Sequence, residues 1–246
     1  MAQFTDKSAD IEAVFCERIA SLRNEHLPSR HPFFAELANC PTERLLSPGI
    51  LDELYRRYQA AMHASRSMGY FLPHLDVVSL RVRKLHILAE DDGIEGGDTH
   101  HYQLRRTWTT LLGRPPVYED HEFGDLDSLK IAVDSSTASF ISLVQEHYPR
   151  SLGPWVMVEG LAHNWIGALL NGLTPHFPRV GETAYFTENY FNGIELNHAK
   201  EAMEMTLLVL DRRPALLEET LAGAERMAEG LDALWSGLQA ILSPIG

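Results

Sequence analysis

The stretch GPWVMVEGLAHNWIGALLNGL, Gly153 to Leu173, decides the fold. Apolar residues occupy nearly every side of it: Trp155, Val156, Met157, Val158, Leu161, Trp165, Ile166, Leu169 and Leu170. That distribution predicts one long helix buried all round. Within it stand Glu159 and His163, four residues apart and therefore on one helical face. An ionised carboxylate among apolar neighbours is costly unless it is paired, protonated or bound to a metal. Structural carboxylates pair with Arg or Lys, and from Arg150 onward to residue 178 the chain has no other cation. Glu159 is therefore expected to be a ligand or a catalytic carboxylate rather than half of a salt bridge within its helix.

Outward from this stretch the chain repeats one pattern. Helical periods run over Ala9–His26, His31–Leu37, Pro48–Met68 and Phe71–Glu90. In the fourth of these the apolar face is read as Leu75, Val78, Leu80, Leu85 and Leu88. A glycine-rich break at Gly93–Asp98 follows, and Asp98 or Thr99 can cap a helix from His100 to Leu112 that stops at Gly113. Pro115–Asp127 reads as an acidic loop, Leu126–His147 as a helix, Thr174–Gly181 as a loop, and Thr183–Leu210 and Pro214–Leu242 as two further helices. No period-2 alternation appears. The pattern predicts an all-α domain of about seven or eight helices spanning residues 1–246.

Composition narrows the partners. The formal net charge is −13, with acids spread along the chain and no Lys/Arg cluster, so nucleic acid and anionic membrane surfaces are not expected partners. The N-terminus lacks a basic segment followed by an apolar core, and no stretch of eighteen apolar residues is free of charge. Cys16 and Cys40 are too few for a disulfide framework or a thiolate metal site. The expectation is a cytoplasmic protein with a small-molecule substrate, and a homodimer is allowed.

Three places put a carboxylate and a histidine within reach of one bundle interior. The first is Glu90 with His100 or His101; Glu90 and His101 are eleven residues apart, about three helical turns, although the glycines between them disturb the phase. The second is Glu159, with His163 one turn on. The third is Glu195-Leu196-Asn197-His198, a Glu-x-x-His spacing that presents one O and one N ligand from adjacent turns. Glu188 lies seven residues before Glu195 and falls on the same face. Each has a plain alternative: Glu-x-x-His arises by chance in many helices, Glu90-Asp91-Asp92 could be a solvated helix end, and His163 could be a hydrogen-bonded core residue. Mixed carboxylate and imidazole donors without thiolate suit Fe(II) or Mn(II).

The HPFF opening at residues 31–34, the acidic helix end before a Gly-rich turn and a His, the run from Leu104 to Leu112-Gly113, the Gly-Pro-Trp…Glu159 helix and the late carboxylate-x-x-His together resemble the haem-oxygenase-like diiron oxidases, over roughly residues 31–210. The broader superfamily includes thiaminase-like and quinone-biosynthesis proteins. The resemblance implies a seven-helix α domain that binds two Fe(II) ions per chain and uses O2 as co-substrate. By position it implies Glu90 (or Asp91), His101, Glu159, Glu195 and His198 as ligands. It implies oxidative C–C cleavage, desaturation or N-oxygenation of an amino-acid-derived or fatty-acid-like substrate, typically in biosynthesis. One departure stands out. The family's third metal helix reads His-x-x-x-Asp-x-x-His, whereas here Phe191 replaces the first histidine and Glu195 the aspartate. Either Glu188 supplies the lost ligand, or one iron site is weakened or vacant. Two other functions remain open: a metal-independent thiaminase-like hydrolase or isomerase with Glu159 as general base, and a non-catalytic helical binding protein. Arg81, Arg83, Lys84 and Lys130 are candidate holders of a substrate carboxylate.

Overall fold

In the computed structural model, which describes residues 4–66, 68, 78–91, 99–117 and 133–243, the predicted central stretch is the helix Leu152–Leu173. In chain order the helices are α1 (Phe4–Glu25), α2 (Pro32–Asn39), α3 (Thr42–Leu45), α4 (Ile50–Arg66), α5 (Val78–Asp91), α6 (His100–Leu112), α7 (Ser135–Val144), α8 (Leu152–Leu173), α9 (Ile194–Arg212) and α10 (Leu217–Leu242). No strand occurs among the described residues, so the all-α expectation holds.

Helix ends follow local chemistry. The Thr99 side chain accepts from Tyr102 N at 3.2 Å and Gly113 takes a left-handed conformation, bounding α6 as the sequence predicts. His31 Nδ1 accepts from Phe33 N, with Pro32 at the first helical position of α2. Asp134 caps α7 by accepting from Ser136 N and Thr137 N. A cap at Asp134 makes α7 start later than the predicted Leu126–His147 helix; residues 118–132 lie outside the described residues, as does most of the expected acidic loop.

The central helix α8 is buried on all sides and packs against α10, α9, α2 and α1. Its first turn meets α10 backbone to backbone: a Cβ on Gly153 would lie 2.0 Å from Thr220 O, and one on Gly223 3.0 Å from Arg150 O. Beyond this, Phe33, Phe34, Trp165 and Trp235 form an aromatic group between α2, α8 and α10.

Two elements depart from expectation. The predicted Thr183–Leu210 helix is interrupted. A single turn at Ala184–Phe186 widens into a π-helical turn at Thr187–Phe191, and Gly193 (φ 71°) breaks the chain before α9 begins. Buried Asn189 holds this turn by donating through Nδ2 to Gln103 Oε1 and Tyr185 O, both at 2.8 Å. The second departure is the phase of α5. Its inward face is Leu80, Lys84, Ile87 and Leu88, while Val78 and Leu85, expected inside, are 63% exposed along with Val82 at 59%.

Candidate metal centre

Two helices supply the three clustered donors. From α8 comes Glu159, 9% exposed, and from α9 come Glu195 and His198, at 6% and 2%. The i, i+3 spacing of Glu195 and His198 turns both toward α8, so the Glu-x-x-His signal does present one O and one N donor to a common point. One donor atom from each of the three residues lies within 4.8 Å of the others. His198 Nδ1 is 3.9 Å from Glu159 Oε2 and 3.7 Å from Glu195 Oε2. These gaps exceed a hydrogen bond. They are a few tenths of an ångström wider than the roughly 3.4 Å between ligand atoms set tetrahedrally about 2.1 Å from one ion, so small side-chain shifts would let the three share an ion, and the O,O,N donor set suits a divalent metal. The residues present therefore fit a metal.

Glu159 is held from its other oxygen. Trp155 Nε1, one turn earlier on α8, donates to Oε1 at 2.8 Å. Lys84 Nζ, reaching in from α5, lies 3.4 Å from the same atom and sits 4.6 Å above the Trp155 ring. Glu159 has no basic partner within its own helix, as expected, and a neighbouring helix supplies one.

A cavity of about 70 Å³, room for several water molecules, opens beside the cluster. Met62, Leu104, Val158, Ala162 and Ile166 give it an apolar wall, and Gln59, His63, Lys84, His100, His101, Tyr185, Glu159 and Glu195 bring polar groups to it. His100 and His101 both reach this space. His100 Nδ1 lies 3.9 Å from Glu195 Oε1. His101 Nδ1 accepts from the Gln59 amide at 3.2 Å, and its ring meets His63 edge-on at 6.0 Å. Tyr58 and Tyr185 share a hydrogen bond of 2.7 Å between their hydroxyls, and burial pushes both phenols well above their ordinary pKa.

The remaining candidates fall elsewhere. Glu90 ends α5, and its side chain lies outside the described residues, as do those of Asp91 and Lys130. Glu188 does not join the cluster: its carboxylate accepts from Asn192 Nδ2 within the π-helical turn. The break at Gly193 removes the continuous helix on which the seven-residue spacing to Glu195 depended. Phe191, standing where the resemblance calls for histidine, is 61% exposed. His163 stacks on Tyr190, centroids 4.5 Å apart, rather than lining the cavity. Arg83 pairs with Glu204 on α9 at 2.9 Å. Gln59, His63, Trp155 and Tyr185 gave no signal in the sequence as site residues. A search for polar residues at helical spacing opposite the Glu159 face would have found Gln59 and His63, which lie four apart on α4.

No protein-family model matches this sequence, and no curated protein matches it. Among solved structures, the chain is similar to a CADD-like protein of unknown function from Nostoc punctiforme PCC 73102, at 14% identity and a TM-score of 0.51, with 98% of each chain covered. A likeness at that identity is one of fold: this chain has the all-helical architecture of that protein along its whole length.

Proposed function

We propose that the protein is an iron-dependent oxidase that activates O2 beside Glu159, Glu195 and His198 and acts on a small amino-acid-derived or fatty-acid-like substrate. The observation that carries this is the convergence of two buried carboxylates and a buried imidazole, from two helices, with one donor atom of each within 4.8 Å of the others. Buried carboxylates gathered this closely repel one another unless a cation lies among them. The resemblance of the metal-helix motifs to the haem-oxygenase-like diiron oxidases supports iron over other divalent metals, and iron bound there would supply the redox chemistry with O2.

The chain's own residues account for the rest. Trp155 and Lys84 fix Glu159 through Oε1, which leaves Oε2 turned toward His198. The apolar wall from α4, α6 and α8 limits water and suits a substrate with a short hydrocarbon portion. Tyr185, kept protonated by burial, holds a phenolic proton at the cavity wall, with Tyr58 hydrogen-bonded behind it. His63 and His101 offer further proton carriers on the opposite wall. Neither Cys16 nor Cys40 lines the cavity, so a thiol nucleophile of thiaminase type gains no support.

The test is anaerobic Fe(II) titration of the metal-free protein, then admission of O2 with optical detection. Wild-type protein is expected to bind iron and to show an absorption change with O2, and Glu159→Ala to lose iron binding while its far-UV circular dichroism stays helical. Iron retained in full by Glu159→Ala would overturn the assignment.

A further inference from the structure

Lys84 is the most unusual residue of this site. It is 4% exposed, although lysine is almost never so buried without a partner. The whole of α5 is turned to put it there: Val78, Val82 and Leu85 face outward while Lys84 shares the inner face with Leu80, Ile87 and Leu88. Among the described residues its ammonium meets Glu159 Oε1 at 3.4 Å and the Trp155 ring at 4.6 Å, and both belong to the metal cluster or its support.

A two-metal carboxylate site uses its second ion to offset carboxylate charge and to share bridging oxygens. Here those tasks are already met. Glu159 Oε1, the oxygen a bridge would use, carries two donors from Lys84 and Trp155. Among the described residues the carboxylates facing the cavity are Glu159 and Glu195. One divalent ion plus one ammonium already exceeds their two negative charges. A second divalent ion would add further unbalanced charge in a buried site, which desolvation opposes. Two positions that could have completed a second site have also turned away: Phe191 is exposed, and Glu188 is bonded to Asn192.

Building on the metal reading proposed above, we infer that the site takes one divalent cation rather than two, and that Lys84 supplies the fixed positive charge that a second ion supplies in two-metal sites. Lys84 acts here through its charge beside Glu159 and does not itself bind the ion.

Anaerobic titration of the full-length, metal-free chain with Co(II) tests this, using equilibrium dialysis for stoichiometry and d–d absorption for geometry. Wild-type protein is expected to saturate at one equivalent. Lys84→Met, and Lys84→Gln as a second neutral variant, are expected either to gain a second equivalent or to hold the first about tenfold or more tighter, because a like charge beside the ion has been removed. Two equivalents in the wild type would overturn the inference and leave the metal reading standing. One equivalent in all three proteins with unchanged or weaker affinity in the variants would also overturn it. No binding by any of the three would overturn both readings. Should neither variant fold, the wild-type stoichiometry alone still decides between one ion and two.

Discussion

At the level of single residues, the site depends on how one carboxylate is held. Glu159 could have been a costly buried charge, yet its two oxygens are divided between two tasks. Oε1 takes the indole N–H of Trp155 and the ammonium of Lys84, and Oε2 faces His198. Groups that orient a ligand affect metal affinity nearly as much as the ligand itself. Trp155→Phe keeps an aromatic ring beneath Lys84 and removes the N–H. Metal dissociation constants for that variant are expected to rise about 10- to 100-fold, with the helical circular dichroism unchanged; equal affinity for variant and wild type would show that Trp155 does not position the carboxylate. The role of Glu159 was legible because its apolar flanks make solvation implausible. The role of Trp155 was not, because an indole at that spacing looks like any other core residue until its N–H is seen to point at an oxygen.

At the level of elements, phase decides which residues meet. A continuous helix through residues 183–210 would put Glu188 and Glu195 on one face, since seven residues make about two turns. The π-helical turn at Thr187–Phe191 and the left-handed Gly193 reset that phase, so Glu188 ends beside Asn192. Glu188→Ala is therefore expected to leave the metal-to-protein ratio and affinity as in the wild type, and a lowered ratio would show that the turn refolds around the ion. The phase of α5 carries the same lesson. Apolar periodicity alone favours a face with Val78 and Leu85, but the tertiary fold exposes both and buries Lys84. Hydrophobic pattern is a strong guide where polar residues have no reason to be inside. It misleads where a buried acid on another helix provides one.

For the molecule as a whole, interactions far from the site hold its helices in register. Asp52, buried in the first turn of α4, accepts from Arg114 Nη1 at 3.1 Å and from Val117 N at 3.0 Å, which ties α4 to the segment leaving α6. The Arg114 guanidinium is the main reason its carboxyl sits below the ordinary range, with the Val117 N–H adding to the shift against the opposing effect of burial. A carboxyl with a depressed native pKa stabilises the fold while it is ionised in both states, and that contribution is lost as pH falls through the native value. Asp52→Asn is accordingly expected to cost about 1–3 kcal/mol at pH 7. The difference in melting temperature between variant and wild type should shrink as pH drops below about 4. A difference that stays constant down to pH 3 would assign the loss to packing rather than to the ion pair.

The sequence by itself determined the helical class, the central buried helix, the ends of α6, and the three residues Glu159, Glu195 and His198. Each of these rests on local information: a period, a cap, a spacing within one helix, or a charge whose immediate neighbours are apolar. Tertiary structure alone decided the partner of Glu159, the place of Glu188 and the shape of the cavity. All of these depend on the relative rotation of different helices and on one irregular turn. A change of a single residue in phase rotates a helix by about 100°, enough to exchange Lys84 for Leu85 at the site, and no single-helix pattern specifies that rotation.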